Sequence, residues 1–271
     1  MTANSQSVRL SLLVPVYNEV GTLETALLRL RRLPLETEVV CVDDGSTDGS
    51  RELLARLQRN GLIDVFVAHD QNRGKGAAVR TAIAHATGDI MVIQDADLEY
   101  DPDDLPSLLQ PILDGKADAV FGSRFLGGPH RVLYFWHRVG NGLLTLLSDM
   151  LTDLNLTDME TGYKMVRAEL MRSLPLTADR FGLEPELTAR LAQAGARIYE
   201  VPISYAGRTY AEGKKIGWRD GLAAIWHIVR FNMWPPRPRI RSFEAKPRPS
   251  VARCEPATPR NSVPGAPALA E

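Results

Sequence analysis

The segment VIQDADLEYDP, residues 92–102, places Asp95, Asp97, Glu99 and Asp101 directly after an apolar run. Four acids near one strand end repel one another unless something cationic is bound. If the extended geometry persists, Asp95 and Asp97, two residues apart, leave the same face of the chain and can share one hard divalent cation. Carboxylate oxygens suit Mg2+ or Mn2+, for which a diphosphate is the natural counter-ligand. Glu99 is the expected third ligand. Asp101, before Pro102, is expected to cap a helix beginning near Asp103.

A second acidic tip lies in CVDDGSTDGSRELL, where Asp43 and Asp44 precede a glycine turn. Helix capping alone would explain Ser46, Thr47 and Asp48. It does not explain two adjacent acids, which can accept hydrogen bonds from a ribose hydroxyl or the N–H edge of a base. NRGKGAAVRTA then sets Lys75 in a glycine-flanked turn at a helix start, where backbone N–H groups favour an anion. The spacing is not that of a Walker A loop.

These groups need a scaffold that gathers strand ends. RLSLLVPVY, TEVVCVDD, IDVFVAH, DIMVIQDAD and ADAVFGS read as strands too apolar to have one face in water. Between them GTLETALLRLRRL, GSRELLARLQRN, GKGAAVRTAIAHAT and DPDDLPSLLQPILDG carry helical periodicity. The alternation predicts an α/β fold on a mostly parallel central sheet flanked by helices. In such sheets ligands lie outside the carboxyl ends of the strands, where the polar punctuation collects.

The 271 residues have a formal net charge of -1, so no global field marks a nucleic-acid binder. Cys41 and Cys254 show no metal-ligand spacing. The opening MTANSQSVRL lacks a signal-peptide pattern, and no segment reaches the roughly 18–20 apolar residues needed to span a bilayer. The chain is expected in the cytoplasm. Residues 1–234 are read as the catalytic domain and 235–271 as a disordered tail. Half of the 18 prolines fall in that tail, with seven Lys/Arg against three Glu. It is either a solubilising extension or a tether to an anionic surface.

LLVPVYNE, VDDGSTDGS, NRGKGAAVRTAI, QDADLEYDPDDL and FGSRF, in this order, resemble family 2 glycosyltransferases of the glycosyltransferase A-type fold, with coverage from about Val8 to Asn232. GYKMVR and FGLEPELTARLAQAGARIYEVPISYAGRTYAEGKKIGWRDG resemble the polyprenyl-phosphate (dolichol-phosphate) mannosyl- and glucosyltransferase branch. The resemblance implies that Pro15, Tyr17 and Glu19 hold the nucleoside, with Asp43 and Asp44 at its base or ribose. Lys75, Asp95 and Ala96 belong to the same donor site, and Asp95 and Asp97 hold the metal. Glu99 stands where relatives often have Gln. Arg124 and Arg138 match positions facing an acceptor phosphate. Arg208, Lys214 and Lys215 resemble a basic loop over the donor diphosphate, in which Lys215 is the closer match. Asp158 would orient a hydroxyl or an arginine, act as a base for an alcohol acceptor, or simply cap a helix.

An anionic phosphate nucleophile needs positioning and charge relief rather than a base. The expected activity is therefore metal-dependent, inverting transfer of a hexose, GDP-mannose favoured and UDP-glucose next, to a polyprenyl phosphate. Two alternatives stand: a hydroxyl acceptor on a soluble or cell-surface glycan precursor, and an inactive nucleotide-sugar-binding regulator. RVLYFWHRVGNGLLTLLSDML and GLAAIWHIVRFNMWPP read either as interfacial amphipathic helices or as core helices. Many relatives continue into transmembrane helices, whereas this chain turns to proline and arginine.

Overall fold

A computed structural model describes residues 8–127, 129–132, 134–208 and 218–234. The five apolar runs form β1 (Leu10–Val16), β2 (Thr37–Asp43), β3 (Val65–Ala68), β4 (Ile90–Ile93) and β5 (Ala119–Ser123). The periodic segments between them form α1 (Leu23–Arg31), α2 (Ser50–Arg59), α3 (Lys75–His85) and α4 (Leu105–Leu113). Asp101 caps the turn that leads into α4, its Oδ1 accepting from the Asp103 amide at 3.1 Å, as expected.

Beyond β5 lie α5 (Phe135–Thr152), β6 (Lys164–Arg167), α6 (Ala168–Ser173), α7 (Leu183–Gln193), β7 (Ile198–Pro202) and α8 (Trp218–Met233). The strands join into one sheet of order β3-β2-β1-β4-β6-β5-β7. β6 runs antiparallel to both β4 and β5, and the other pairings are parallel. Neither β6 nor β7 is expected from strand patterning.

Strand alternation divides the core into two layers. Leu10, Leu12, Val14 and Val16 pack with Leu23, Leu27, Leu54 and Leu105 of the first, second and fourth helices. Leu13, Val40 and Val42 face Ala78, Val79, Leu170 and Leu187 on the other side. Burial on both faces is why these strands lack a polar alternation. The pairings run all strands but β6 the same way, so their carboxyl ends open at one edge. Because β6 is reversed, the loop entering it, residues 158–163, lies at that same edge.

α5 carries Phe135, Trp136, Val139, Leu143, Leu146 and Met150 on an exposed stripe, and only Thr145 and Ser148 of this helix are buried. α8 packs on it and exposes Leu222, Trp226 and Met233. Neither helix is a fully buried core helix, for both leave an apolar stripe exposed. No helix among the described residues is long and apolar enough to cross a membrane. The proposed tail, 235–271, lies outside the described residues.

Candidate active site

The acids after β4 do not continue an extended strand. Leu98 adopts φ 63°, a conformation that costs a branched residue energy and turns the chain sharply. Two cationic side chains, Lys75 and Arg208, are shared among the carboxylates instead. Lys75 Nζ reaches Asp95 at 2.9 Å and Glu184 at 3.0 Å. Arg208 Nη2 donates to Asp97 at 2.9 Å, its Nε to Glu99 at 3.0 Å, and its Nη1 lies 3.6 Å from Glu19. Glu99 also accepts from the Tyr205 hydroxyl at 2.6 Å. Burial alone would raise the pKa of Glu99, but these donors from Tyr205 and Arg208 outweigh it and hold the carboxyl below its ordinary range.

Glu99 as third ligand is therefore corrected for this conformation: its oxygens belong to Tyr205 and Arg208. Among the described residues no three acids, histidines or cysteines form a metal cluster. The pair Asp95 and Asp97 nevertheless fits a hard divalent cation. Asp97 is pushed up to about 7, by burial first and then by the charges of Asp95 and Glu99. Five carboxylates, Asp95, Asp97, Glu99, Glu19 and Glu184, share the two cations Lys75 and Arg208, which leaves surplus negative charge on an all-oxygen donor set.

At the nucleoside end the β1 and β2 loops clasp one another. The Thr47 amide donates to Asn18 Oδ1 at 2.8 Å, the Asn18 amide to Ser46 Oγ at 3.0 Å, and the Val20 amide to Asp48 Oδ2 at 3.1 Å. Asp48 also accepts from the Ser50 amide at 3.0 Å, but the N-cap of α2 is Gly49, so none of Ser46, Thr47 and Asp48 occupies the cap position. Tyr17 is 42% exposed and Pro15 is partly buried at the strand tip. Ala96 is buried, its carbonyl accepting from Thr22 Oγ1.

Asp43 and Asp44 reach this edge but are fully buried, and protein groups take their oxygens. Asp43 accepts from Arg51 Nε at 2.7 Å and the Ser46 amide at 3.2 Å. Asp44 contacts His69 Nδ1 at 2.7 Å and accepts from the amides of Arg73 and Gly74 at 3.0 and 2.7 Å. Asp44 thereby shapes the turn that presents Lys75.

The expected anion cradle at the start of α3 is likewise closed. Gly74 has φ 100°, and a Cβ there would lie 2.3 Å from the Asp179 carbonyl oxygen. That carbonyl accepts from the Ala77 amide at 3.1 Å. Lys75 is accordingly a clamp between Asp95 and Glu184 in this structure. Burial opposes its charge, but Asp95 and Glu184 hold its pKa well above the usual lysine range.

On the acceptor side, Arg124 follows β5 and is gripped by fully buried Asp158. Its Nε donates to Oδ2 at 2.7 Å and its Nη2 to Oδ1 at 2.7 Å, a bidentate pair. Asn141 Oδ1 accepts from the same Nη2 at 3.1 Å. Burial opposes the charge of Arg124, yet Tyr100 and Asp158 keep its pKa well above the usual range. Asp158 caps no helix. Of the roles open to it, orienting an arginine is the one the geometry shows. Arg138, on α5, lies 4.9 Å from the Phe125 ring centroid, with Arg124 at 5.6 Å from the same ring.

Lys214 and Lys215 lie outside the described residues. His69, Asn141, Glu184, Glu200 and Tyr205 were not singled out from sequence. They stand in apolar or mixed segments, with no local spacing to mark them.

A family model described as glycosyl transferase family 2 matches residues 11–174. The undecaprenyl-phosphate mannosyltransferase of Micrococcus luteus is 31% identical over 250 residues, covering 82% of this chain and 98% of that protein. The dolichol-phosphate mannosyltransferase of Pyrococcus furiosus is 27% identical over 232 residues, covering 84% of this chain and 64% of that protein. The crystal structure of Mycobacterium tuberculosis glucosyl-3-phosphoglycerate synthase with Mn2+, UDP and glucosyl-3-phosphoglycerate matches with a TM-score of 0.66 at 22% identity, over 85% of this chain and 82% of that one. The last likeness shows the fold, and with it the glycosyltransferase A-type architecture expected from sequence. On the family match and the 31% relative, the chain belongs to glycosyl transferase family 2 and is a glycosyltransferase.

Proposed function

We propose that the chain transfers a hexose from a nucleotide sugar to a polyprenyl phosphate at a membrane surface, with inversion and with a divalent cation on the donor diphosphate. GDP-mannose is the favoured donor, because both named relatives are mannosyltransferases acting on lipid phosphates. UDP-glucose comes next, since the solved neighbour binds UDP together with Mn2+.

The observation that carries this reading is the bidentate grip of buried Asp158 on Arg124. It fixes a permanently charged guanidinium and leaves Asp158 without a free oxygen to serve as a base. An acceptor phosphate, already anionic, needs that arrangement, whereas a hydroxyl acceptor would need a proton taken from it. Arg124 and Arg138 would align one phosphate oxygen with the anomeric carbon. The new C–O bond forms as the bond to the diphosphate breaks, and the electron pair leaves with the nucleoside diphosphate. A cation held by Asp95 and Asp97 would supply stabilisation of charge on that leaving group. Arg208, bonded to Asp97 and Glu99, would close over the diphosphate.

The exposed apolar stripes of α5 and α8 support peripheral membrane contact, since Trp136 and Trp226 have the amphipathic rings that favour a lipid–water boundary. Arg138 stands on the same helix as the larger stripe, which brings the acceptor arginine close to such a surface.

The test is a panel of nucleotide sugars crossed with short polyprenyl phosphates, in Mn2+, Mg2+ or chelator. Metal-dependent formation of an inverted hexosyl phosphate from GDP-mannose is the expected result. Transfer only to hydroxyl acceptors, or turnover undiminished by chelator, would overturn the reading.

A further inference from the structure

The loop entering β6 is fixed at nearly every residue. The amides of Thr157 and Asp158 donate to Glu200, that of Met159 to Thr145 Oγ1 at 3.1 Å, and that of Gly162 to the Tyr100 hydroxyl at 2.8 Å. Lys164 Nζ ties back to the carbonyls of Met159 and Thr161 at 2.6 and 2.8 Å. A Cβ on Gly162 would lie 2.8 Å from Asp95 Oδ2, so the loop approaches the donor acids as closely as glycine allows. From this rigid turn one group is left unsatisfied. Glu160 Oε1 is buried with no hydrogen-bond partner.

Along the chain it stands two residues from Asp158, which grips Arg124, and two from Gly162, which abuts Asp95. The charges of Glu184, which shares Lys75 with Asp95, and of Lys164, Arg124 and Asp158 all act on it. A buried carboxyl oxygen without a partner is costly, and a bound hydroxyl would relieve that cost. Between a donor diphosphate and an acceptor phosphate the group to be held is the hexose itself, whose hydroxyls both donate and accept. An anionic acceptor brings no proton for Glu160 to remove.

Resting on the function proposed above, we propose that Glu160 Oε1 hydrogen-bonds a hydroxyl of the transferred hexose and is a residue by which the enzyme selects its sugar. A site built around such a bond rejects the analogue that lacks the hydroxyl, because the carboxyl is again left unpaired. Burial and the charge of Glu184 push Glu160 up to about 7, against Lys164 and Arg124, so the group can be a donor or an acceptor to the hydroxyl near neutrality.

The experiment compares kcat/KM of the full-length wild type, Glu160→Ala and Glu160→Gln, using the active hexose donor and its four mono-deoxy analogues with a short polyprenyl phosphate. Wild type should disfavour one deoxy position by roughly ten- to hundredfold. That ratio should fall to about threefold or less in Glu160→Ala and be intermediate in Glu160→Gln, while calorimetric affinity for the nucleoside diphosphate is unchanged. If Glu160→Ala fails to fold, the near-isosteric Gln variant carries the comparison. An active wild type whose deoxy profile is shared by the variants overturns the inference alone. A wild type inert with every hexose donor overturns the proposed function and the inference with it.

Discussion

Arg208 Nη2 stands 2.9 Å from Asp97 Oδ2, so the side chain expected over the donor diphosphate sits instead among the acids expected to hold a metal. With Glu99 and Glu19 also in reach, the guanidinium serves as an internal counter-ion. Removing it should expose the acids to a competing cation. Arg208→Ala is expected to bind Mn2+ roughly tenfold more tightly than wild type in the absence of nucleotide, yet to lose turnover on the order of a hundredfold. Titration followed by Mn2+ magnetic resonance, beside steady-state rates, checks both halves. Weaker Mn2+ binding in the variant would show that Arg208 does not compete for these oxygens.

Asp97 is held near 7, well above the ordinary aspartate range, so the folded chain binds its proton more readily than the unfolded chain does. The sign is that stability falls as pH rises from about 4 to about 7, and the penalty is complete above that. In chelator, Asp97→Asn should therefore melt a few degrees above wild type at pH 8, on the order of 2–4 °C for each kcal/mol relieved. The gap should close towards pH 4. Turnover should fall about a hundredfold or more. A variant that melts lower at pH 8 and higher at pH 4 would reverse the sign.

Asp158 and Arg124 should separate acceptor from donor. Asp158→Ala leaves a buried guanidinium uncompensated and should cost roughly 3–5 kcal/mol in denaturant unfolding. Arg124→Ala is expected to raise the acceptor KM or lower kcat sharply while leaving calorimetric nucleotide affinity intact. Equal loss of nucleotide affinity would place Arg124 on the wrong substrate.

Trp136 and Trp226 test the apolar stripes. The double change Trp136→Ser, Trp226→Ser alters exposed side chains only, so folding and turnover on a short water-soluble acceptor should persist. Co-sedimentation with anionic vesicles should drop several-fold at both low and physiological salt. A tether working through the basic tail would instead show loss with salt alone in wild type, and no effect of the two tryptophans.

The sequence displays β1 to β5 because strands buried on both faces must be apolar throughout. β6 and β7 escape the same reading for physical reasons. β6 is four residues long with a buried lysine at its start, and β7 is a partly exposed edge strand ending in proline. Spacing likewise announces the acids after β2 and β4 but not their partners. Glu184 lies on a helix whose pattern is that of an ordinary core helix, and Tyr205 follows the edge strand. Which cation meets which acid is decided by contacts distant in sequence, from 20 residues for Lys75 with Asp95 to 111 for Arg208 with Asp97. The left-handed Leu98 could not be foreseen from a branched residue that disfavours it.

The reversed direction of β6 has an evolutionary corollary. The segment 158–163 enters a strand paired on both sides and is tied to Arg124, Glu200, Thr145 and Tyr100 before it gets there. An insertion there would shift the register of the sheet centre. Diversification of this wall among descendants should therefore proceed by exchange of single side chains, with chain length held constant.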